Sequence, residues 1–260
     1  MNRSPLEPTL PDNATVKIIG LGGVGSIVAR YLAIFLASLG RVVRLVFIDG
    51  DDFEHSNRTR TFGSGGNKAT VTHDDLAPHF AESSLSILAI EEFVTPENIG
   101  RLIRAGDIIL LTVDNHATRK LVSDHCATLS DVCLISGGND GVEKDASGHM
   151  RRGTYGNVQV YLRRAGADAS PSLTRYHPEI AQPADKLPTD KSCTELITSV
   201  PQILFANLTV ATCILNTLLL HLSDALHYSE LAFDIADALM RPAPLPAPKP
   251  RAEPDTAPQL

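Results

Sequence analysis

Val16-Lys17-Ile18-Ile19-Gly20-Leu21-Gly22-Gly23-Val24-Gly25-Ser26 is the stretch that decides the fold. Four residues of strand character run into a glycine turn, and a helical pattern over residues 27–39 runs out of it. A strand, a glycine turn and a helix start in that order point the first amides of the helix at an anion. A second apolar run, residues 43–48, ends on Asp49. An acid there is where the second strand of a nucleotide-binding βαβ unit presents a carboxylate to ribose hydroxyls. The competing reading is a tight turn that only packs a helix on a sheet.

The residues after Asp49 bear on which nucleotide is bound. Asp51, Asp52, Glu54, Ser56, Asn57, Arg58 and Arg60 follow, and then Lys68. Fixed cations beside a phosphate-binding turn suit a triphosphate better than a nicotinamide dinucleotide. A solvated, idle loop is the alternative for any one of them. Further along, residues 85–90, 107–113 and 132–136 read as strands, while 96–105 and 116–129 read as helices. Residues 153–162 alternate and use β-branched or aromatic side chains, which suits a later, antiparallel part of the sheet. The expected fold is therefore α/β: a doubly wound, Rossmann-like, mainly parallel sheet with an antiparallel C-terminal extension. Gly20, Asp49 and Asp114 then fall at the C-terminal ends of three strands and converge on one edge.

These residues resemble the adenylation domain of the ThiF-like, ubiquitin-activating-enzyme superfamily. That pattern is G-x-G-G-x-G-S, then D-x-D-x-V-E-x-S-N-L-x-R-Q, a lysine, and T-D-N with an arginine four residues on. This chain has Gly20, Gly22, Gly23, Gly25 and Ser26; Asp49, Asp51, Glu54, Ser56, Asn57 and Arg60; Lys68; Asp114, Asn115 and Arg119. Phe53 stands for the valine and Thr61 for the glutamine. Ser192-Cys193-Thr194-Glu195 is similar to the family's S-C-x-E before a long last helix. The resemblance covers roughly residues 16–222. Within the superfamily, His177-Pro178-Glu179 and Leu204-Phe205-Ala206-Asn207 look most like the ThiF-related proteins of bacterial PRTRC cassettes.

The resemblance implies ATP-dependent adenylation of the C-terminal carboxylate of a small ubiquitin-like or sulfur-carrier protein ending in glycine. It implies Asp49 on the ribose, Arg60 and Lys68 on the phosphates, Asn57 hydrogen-bonded to them, and Asp114 on Mg2+. Asn115 and Arg119 then stand behind that layer, with a helix N-cap and an ion-pair anchor as their plain structural readings. Cys193 is either a small semi-buried residue or a nucleophile that receives the activated acyl group. Residues 163–192 correspond to the crossover loop under which a carrier tail runs. Relatives often supply another arginine from a partner's N-terminal segment; here either Arg3 does this, or Arg58 substitutes, or the site is weaker. A homodimer is expected on the same ground. Alternatives are a family adenylyltransferase acting on a small molecule or tRNA base, and a catalytically silent nucleotide-binding subunit of a heteromeric activator. A dehydrogenase is disfavoured because no hydride-transfer constellation is apparent.

Composition sets further bounds. The chain has 260 residues, 43% of them hydrophobic, enough for one well-packed domain. A formal net charge of −7 argues against binding nucleic acid by phosphate neutralisation. The four cysteines, at 126, 133, 193 and 213, form no C-x-x-C pair, so neither a disulfide framework nor a zinc site is expected. Cys126, Cys133 and Cys213 fall in core patterns. Residues 1–11 are polar and proline-bearing, unlike a secretory leader, and a cytoplasmic setting is expected. Residues 203–222 are long and apolar, but Asn207, Asn216 and His221 favour a helix buried on the sheet or at a dimer interface over a membrane span. Ser199 reads as its N-cap and Pro201 as part of its first turn. The organisation expected is a segment 1–15, an adenylation domain 16–240, and a proline-rich tail 241–260 that is disordered or polyproline II.

Overall fold

A computed structural model of the chain describes residues 5–53, 65–142, 148–190 and 202–245. Among the described residues, nine strands form one mixed sheet. Five of them are parallel: β1 (Ala14–Ile19), β2 (Val43–Ile48), β3 (Leu85–Ile90), β4 (Ile108–Leu111) and β5 (Val132–Asn139). Then β6 (Tyr155–Arg164), β8 (Tyr228–Asp234) and β9 (Leu239–Pro244) continue antiparallel, and the short β7 (Ala167–Asp168) pairs with β6. The spatial order is β3-β2-β1-β4-β5-β6-β8-β9. The order reverses between β1 and β4, and a crevice at such a reversal is where open α/β sheets take ligands.

Helices cover both faces. On one, α1 (Gly23–Ser38) and α6 (Leu204–Leu222) pack together and against the sheet. In α1, Val24, Val28, Leu32 and Leu36 recur every fourth residue and form its buried stripe. On the other face lie α3 (Ile99–Leu102), α4 (His116–Cys126) and α5 (Pro178–Ala181). The parallel strands are buried on both sides, which accounts for their continuous apolar runs. Helix α2 (Lys68–Leu76) follows the loop after β2.

Five expectations about elements are corrected. Helix 96–105 is a single turn. Asn98 accepts the Thr95 amide at 2.8 Å and donates to the Phe93 carbonyl, and Ile103 turns extended. Helix 116–129 stops at Cys126, with Ala127 as its C-cap. Helix α6 begins at Leu204 behind an N-cap at Ile203, not at a cap on Ser199; Ser199 and Pro201 lie outside the described residues.

The segment expected as a long crossover loop, 163–192, is described to residue 190 and holds β7, α5 and a 3-10 turn at Pro188–Asp190. It buries Leu173 and Ile180 against the α4 face, and Ser170 is buried on the β6 backbone through bonds to Leu162 and Val160. Finally, the packed domain does not end at residue 240. Arg241–Pro244 belongs to β9, so disorder does not begin at 241. The Leu245 amide bonds to the His227 carbonyl at 3.1 Å. With a period of two, Pro242 and Pro244 therefore turn their nitrogens away from β8, where no ladder bond is lost and the sheet edge is blunted.

A buried ion pair ties β1 to the turn before β4. Lys17 Nζ lies 2.6 Å from Asp107 Oδ2, both side chains are 9% exposed, and the ammonium also donates to the Leu102 carbonyl at 2.6 Å. Asp107→Ala would strand that ammonium, at a cost of about 3–5 kcal/mol. Urea denaturation is expected to show this loss, and Lys17→Met with Asp107→Leu to restore most of it. A loss under 1 kcal/mol for Asp107→Ala would mean that water reaches the lysine.

Candidate active site

The ends of β1, β2 and β4 meet as expected. Gly20 has a φ of +91°, open to glycine, and its amide bonds to the Ile48 carbonyl at 2.9 Å. A Cβ on Gly25 would lie 1.9 Å from the Gly20 oxygen and 2.7 Å from Thr112 Oγ1, so only glycine lets α1 come this close to β1 and β4. Gly22, the N-cap of α1, has no side chain to cap the helix, and nothing lies within 4 Å of its notional Cβ. The first amides of α1 are thus free of a side-chain cap, and the space beside Gly22 is open. That is the arrangement an anion requires. Thr112, which the sequence reading passed over, clamps the turn through a 2.6 Å bond to the Gly20 oxygen.

Asp49 stands behind the turn. One carboxylate oxygen accepts the Leu21 amide and the other accepts the Asp51 amide at 2.9 Å. Burial raises its pKa, against the pull of the Leu21 amide and the Lys68 charge. The carboxylate therefore braces the glycine turn, and each oxygen keeps a lone pair for a ribose hydroxyl.

Lys68 is the first residue of α2. Its ammonium lies 2.7 Å from Asp51 Oδ2, with the lysine side chain 11% exposed and the aspartate side chain 53% exposed. Two of its three donors remain for phosphate oxygens. Asn67 organises this corner. Its Oδ1 caps α2 at the Ala69 and Thr70 amides, and its Nδ2 reaches the Asp49 and Asp51 carbonyls. Sequence reasoning missed Asn67, although an Asn directly before a helical run is an N-cap signal.

Asp114 is exposed where β4 leads to α4 and has no hydrogen bond among the described residues. It is a hard oxygen donor at the ligand edge, and one carboxylate suffices for Mg2+ when phosphates and water supply the other ligands. No cluster of three or more His, Cys, Asp or Glu among the described residues could hold a metal by itself. Asn115 is the N-cap of α4, bonded to the Thr118 amide at 2.7 Å, and its side chain is spent on the helix.

Arg119 departs from the ion-pair anchor reading. Its guanidinium is buried and donates to the Val113 and Gly137 carbonyls, at 2.9 and 3.1 Å, and to Ser136 Oγ; no carboxylate pairs with it among the described residues. Burial lowers its pKa, and the nearby charges of Asp114, Asp185 and Glu179 oppose that shift. It stitches the ends of β4 and β5 together and sets a positive charge beneath Asp114.

The crossover segment is fastened to this edge by residues that sequence reasoning did not assign. Both oxygens of Asp185 accept amides at the start of α4, from His116 and Ala117, each at 2.8 Å. His177 bridges Glu179, at 2.8 Å, and Glu230 on β8, at 3.1 Å. Glu230 and then Glu179 raise its pKa over the opposing effect of burial.

Asn57, Arg58, Arg60, Cys193 and Arg3 lie outside the described residues. Cys126, Cys133 and Cys213 are buried, and burial pushes the Cys126 thiol up to about 12 and that of Cys213 to about 11. Such thiols are core residues and not nucleophiles.

Comparison with known proteins bears on the family and the fold. Over 157 residues the chain is 32% identical to "Adenylyltransferase and sulfurtransferase MOCS3" of Drosophila sechellia, covering 57% of this chain and 31% of that protein. It is 30% identical over 122 residues to "Protein HesA, vegetative" of Trichormus variabilis, covering 44% and 42%. The chain thus spans about a third of the length of the MOCS3-type relatives. E. coli MccB with ATP has the same fold at a TM-score of 0.64 and 16% identity, over 90% of this chain and 64% of that one. PaaA follows at 0.62 and 17%, over 89% and 72%. The ThiF family pattern matches residues 12–252, and the chain belongs to the ThiF family.

Proposed function

We propose that this protein adenylates a carboxylate with ATP, and that the carboxylate is the C-terminus of a small ubiquitin-like or sulfur-carrier protein ending in glycine. One observation carries the reading: an uncapped turn of backbone amides, a shielded ammonium at Lys68 and an exposed carboxylate at Asp114 share one sheet edge. The carrier's carboxylate oxygen attacks the α-phosphorus and forms the mixed anhydride. The bond to the β-phosphate oxygen breaks, and pyrophosphate leaves with that electron pair.

The protein positions two anions and holds charge as it develops. The α1 amides take a phosphate, Asp49 holds the turn and faces the ribose, and Lys68 neutralises phosphate oxygens, with Arg60 and Asn57 beside it by family pattern. Asp114 would hold Mg2+, which shields the phosphates and steadies the leaving pyrophosphate. Relatives named as adenylyltransferases support the chemistry, and the neighbouring MccB structure with N-formylated MccA supports a peptide-like substrate. Transfer to Cys193 is the further step we propose, in which the thiolate attacks the acyl carbon to form a thioester and the acyl–phosphate bond breaks to release AMP, in a bacterial, cytoplasmic protein of the PRTRC-associated kind.

We also propose a homodimer, with pairing through the outer face of α6. Phe205, Leu208 and Met240 are exposed there around an open apolar depression of about 410 Å³.

Calorimetry separates the nucleotides. MgATP is expected to bind and NAD not to, because a cation and a phosphate turn without a nicotinamide partner favour the triphosphate. Tighter binding of NAD than of MgATP would overturn the proposal.

A further inference from the structure

Asn207 lies in the first turn of α6, in an otherwise apolar stretch, and is completely buried. Neither its Nδ2 nor its Oδ1 has a hydrogen-bond partner among the described residues. A carboxamide that leaves water without finding a partner lowers stability, so one left with both ends unpaired points to a partner from outside the chain.

A second carboxamide lies on the same side. A Cβ on Gly137 would meet Ile214 and Val210 at 2.6 and 2.9 Å, so β5 turns Gly137 toward α6. The alternation of the strand turns Asn139 the same way, two residues nearer the ligand edge. Asn207 stands one helical turn before Val210, displaced in that same direction. Asn139 Nδ2 bonds to the Asp140 carbonyl at 3.2 Å, while its Oδ1 is buried and has no partner among the described residues.

The direction of α6 fixes which edge this is. Leu222, its last residue, accepts the Thr9 amide at 2.8 Å, just ahead of β1, so α6 ends where the parallel strands begin. Its first turn is therefore at their C-terminal ends, beside the start of α1 and the glycine turn. One donor group and two acceptors, all buried and without a partner among the described residues, thus lie on the same side of the sheet toward this edge, on two elements that pack together.

We propose that Asn207, with Asn139, reads a peptide group of the substrate next to the carboxylate that is activated. Asn207 Nδ2 donates to the peptide carbonyl, and the carboxamide oxygens accept its N–H. Asn207 is then a positioning residue that selects a chain end with an amide beside the carboxylate over a plain carboxylic acid. A site that needs such a bond rejects analogues without it, because its own polar groups stay unpaired. The inference rests on the adenylation reading given above.

The test uses the full chain and three probes: AMP, an adenosine sulfamate carrying an acetyl-glycyl-glycyl arm, and one carrying an all-carbon arm of equal length. The parent is expected to bind the peptidyl probe at least about 10-fold more tightly than the all-carbon one. Asn207→Leu is expected to erase that preference, leave AMP affinity unchanged and keep or raise Tm, since an apolar group of similar size replaces an unsatisfied one. Asn207→Ala is the second variant should leucine not fit. A variant that keeps the preference overturns the inference, as does an equal loss of AMP and peptidyl binding, which would assign Asn207 to the nucleotide. A lowered Tm in both variants also overturns it, because the amide would then be structural. A parent that gains nothing from either arm overturns the adenylation reading itself, and this inference with it.

Discussion

Asp114→Ala is expected to abolish ATP–pyrophosphate exchange while leaving the fold intact. The side chain is exposed and makes no hydrogen bond among the described residues, so its removal takes nothing from the core. Surface substitutions of that kind usually change stability by less than about 0.5 kcal/mol. Asn115 would still cap α4, and Asp185 would still hold its first amides. What disappears is the carboxylate proposed to hold Mg2+ at the ligand edge. The positive charge of Arg119 beneath it would then face the nucleotide without a counter-charge between them. Loss of one preorganised electrostatic group costs about 10²–10³ in rate. Exchange assays and a thermal melt on the same preparation measure both halves. Near-normal exchange at ordinary Mg2+ would mean that Asp114 is not the ligand, and a large drop in Tm would mean that it is structural.

The parts of this site that were legible in the sequence are those whose signal is local. A strand, a glycine turn and a helix occupy consecutive residues, and Asp49 ends the next apolar run. The residues that fasten the site act at long range. Asp185 reaches α4 across 69 residues and His177 reaches Glu230 across 53, so no periodicity connects them. Thr112 clamps Gly20 from 92 residues away.

The boundaries that failed have local causes of a different kind. Asn98 replaces helix bonds with its own side-chain bonds, so a helical pattern yields one turn. Proline at every second position reads as polyproline by composition. In β9 the same spacing sends every proline nitrogen to the free edge, which a strand tolerates. Arg119 illustrates a third case. Its position after Asp114-Asn115 marked it, but only the fold reveals that it bonds carbonyls and not a carboxylate.

Adenylation and transfer should come apart by mutation, because different groups serve them. Lys68→Ala is expected to lower adenylate formation by about 10²-fold or more. The variant removes the ammonium and also frees Asp51, which lies 2.7 Å from it and would then repel the phosphates. Asp51→Asn should cost less, since the cation stays. Arg60→Ala is expected to match Lys68→Ala from its place in the family pattern. Cys193→Ser should leave ATP–pyrophosphate exchange running, because it removes no phosphate ligand. It should instead abolish a thiol-sensitive covalent adduct between the enzyme and its carrier, read by mass spectrometry without reductant. The three other cysteines are no substitute: Cys126, Cys133 and Cys213 are all buried, with thiols held well above the reactive range. An unchanged adduct in Cys193→Ser would move the nucleophile to another residue type. A parent protein that forms the adenylate but no adduct would end the reaction at the mixed anhydride and leave Cys193 a structural residue.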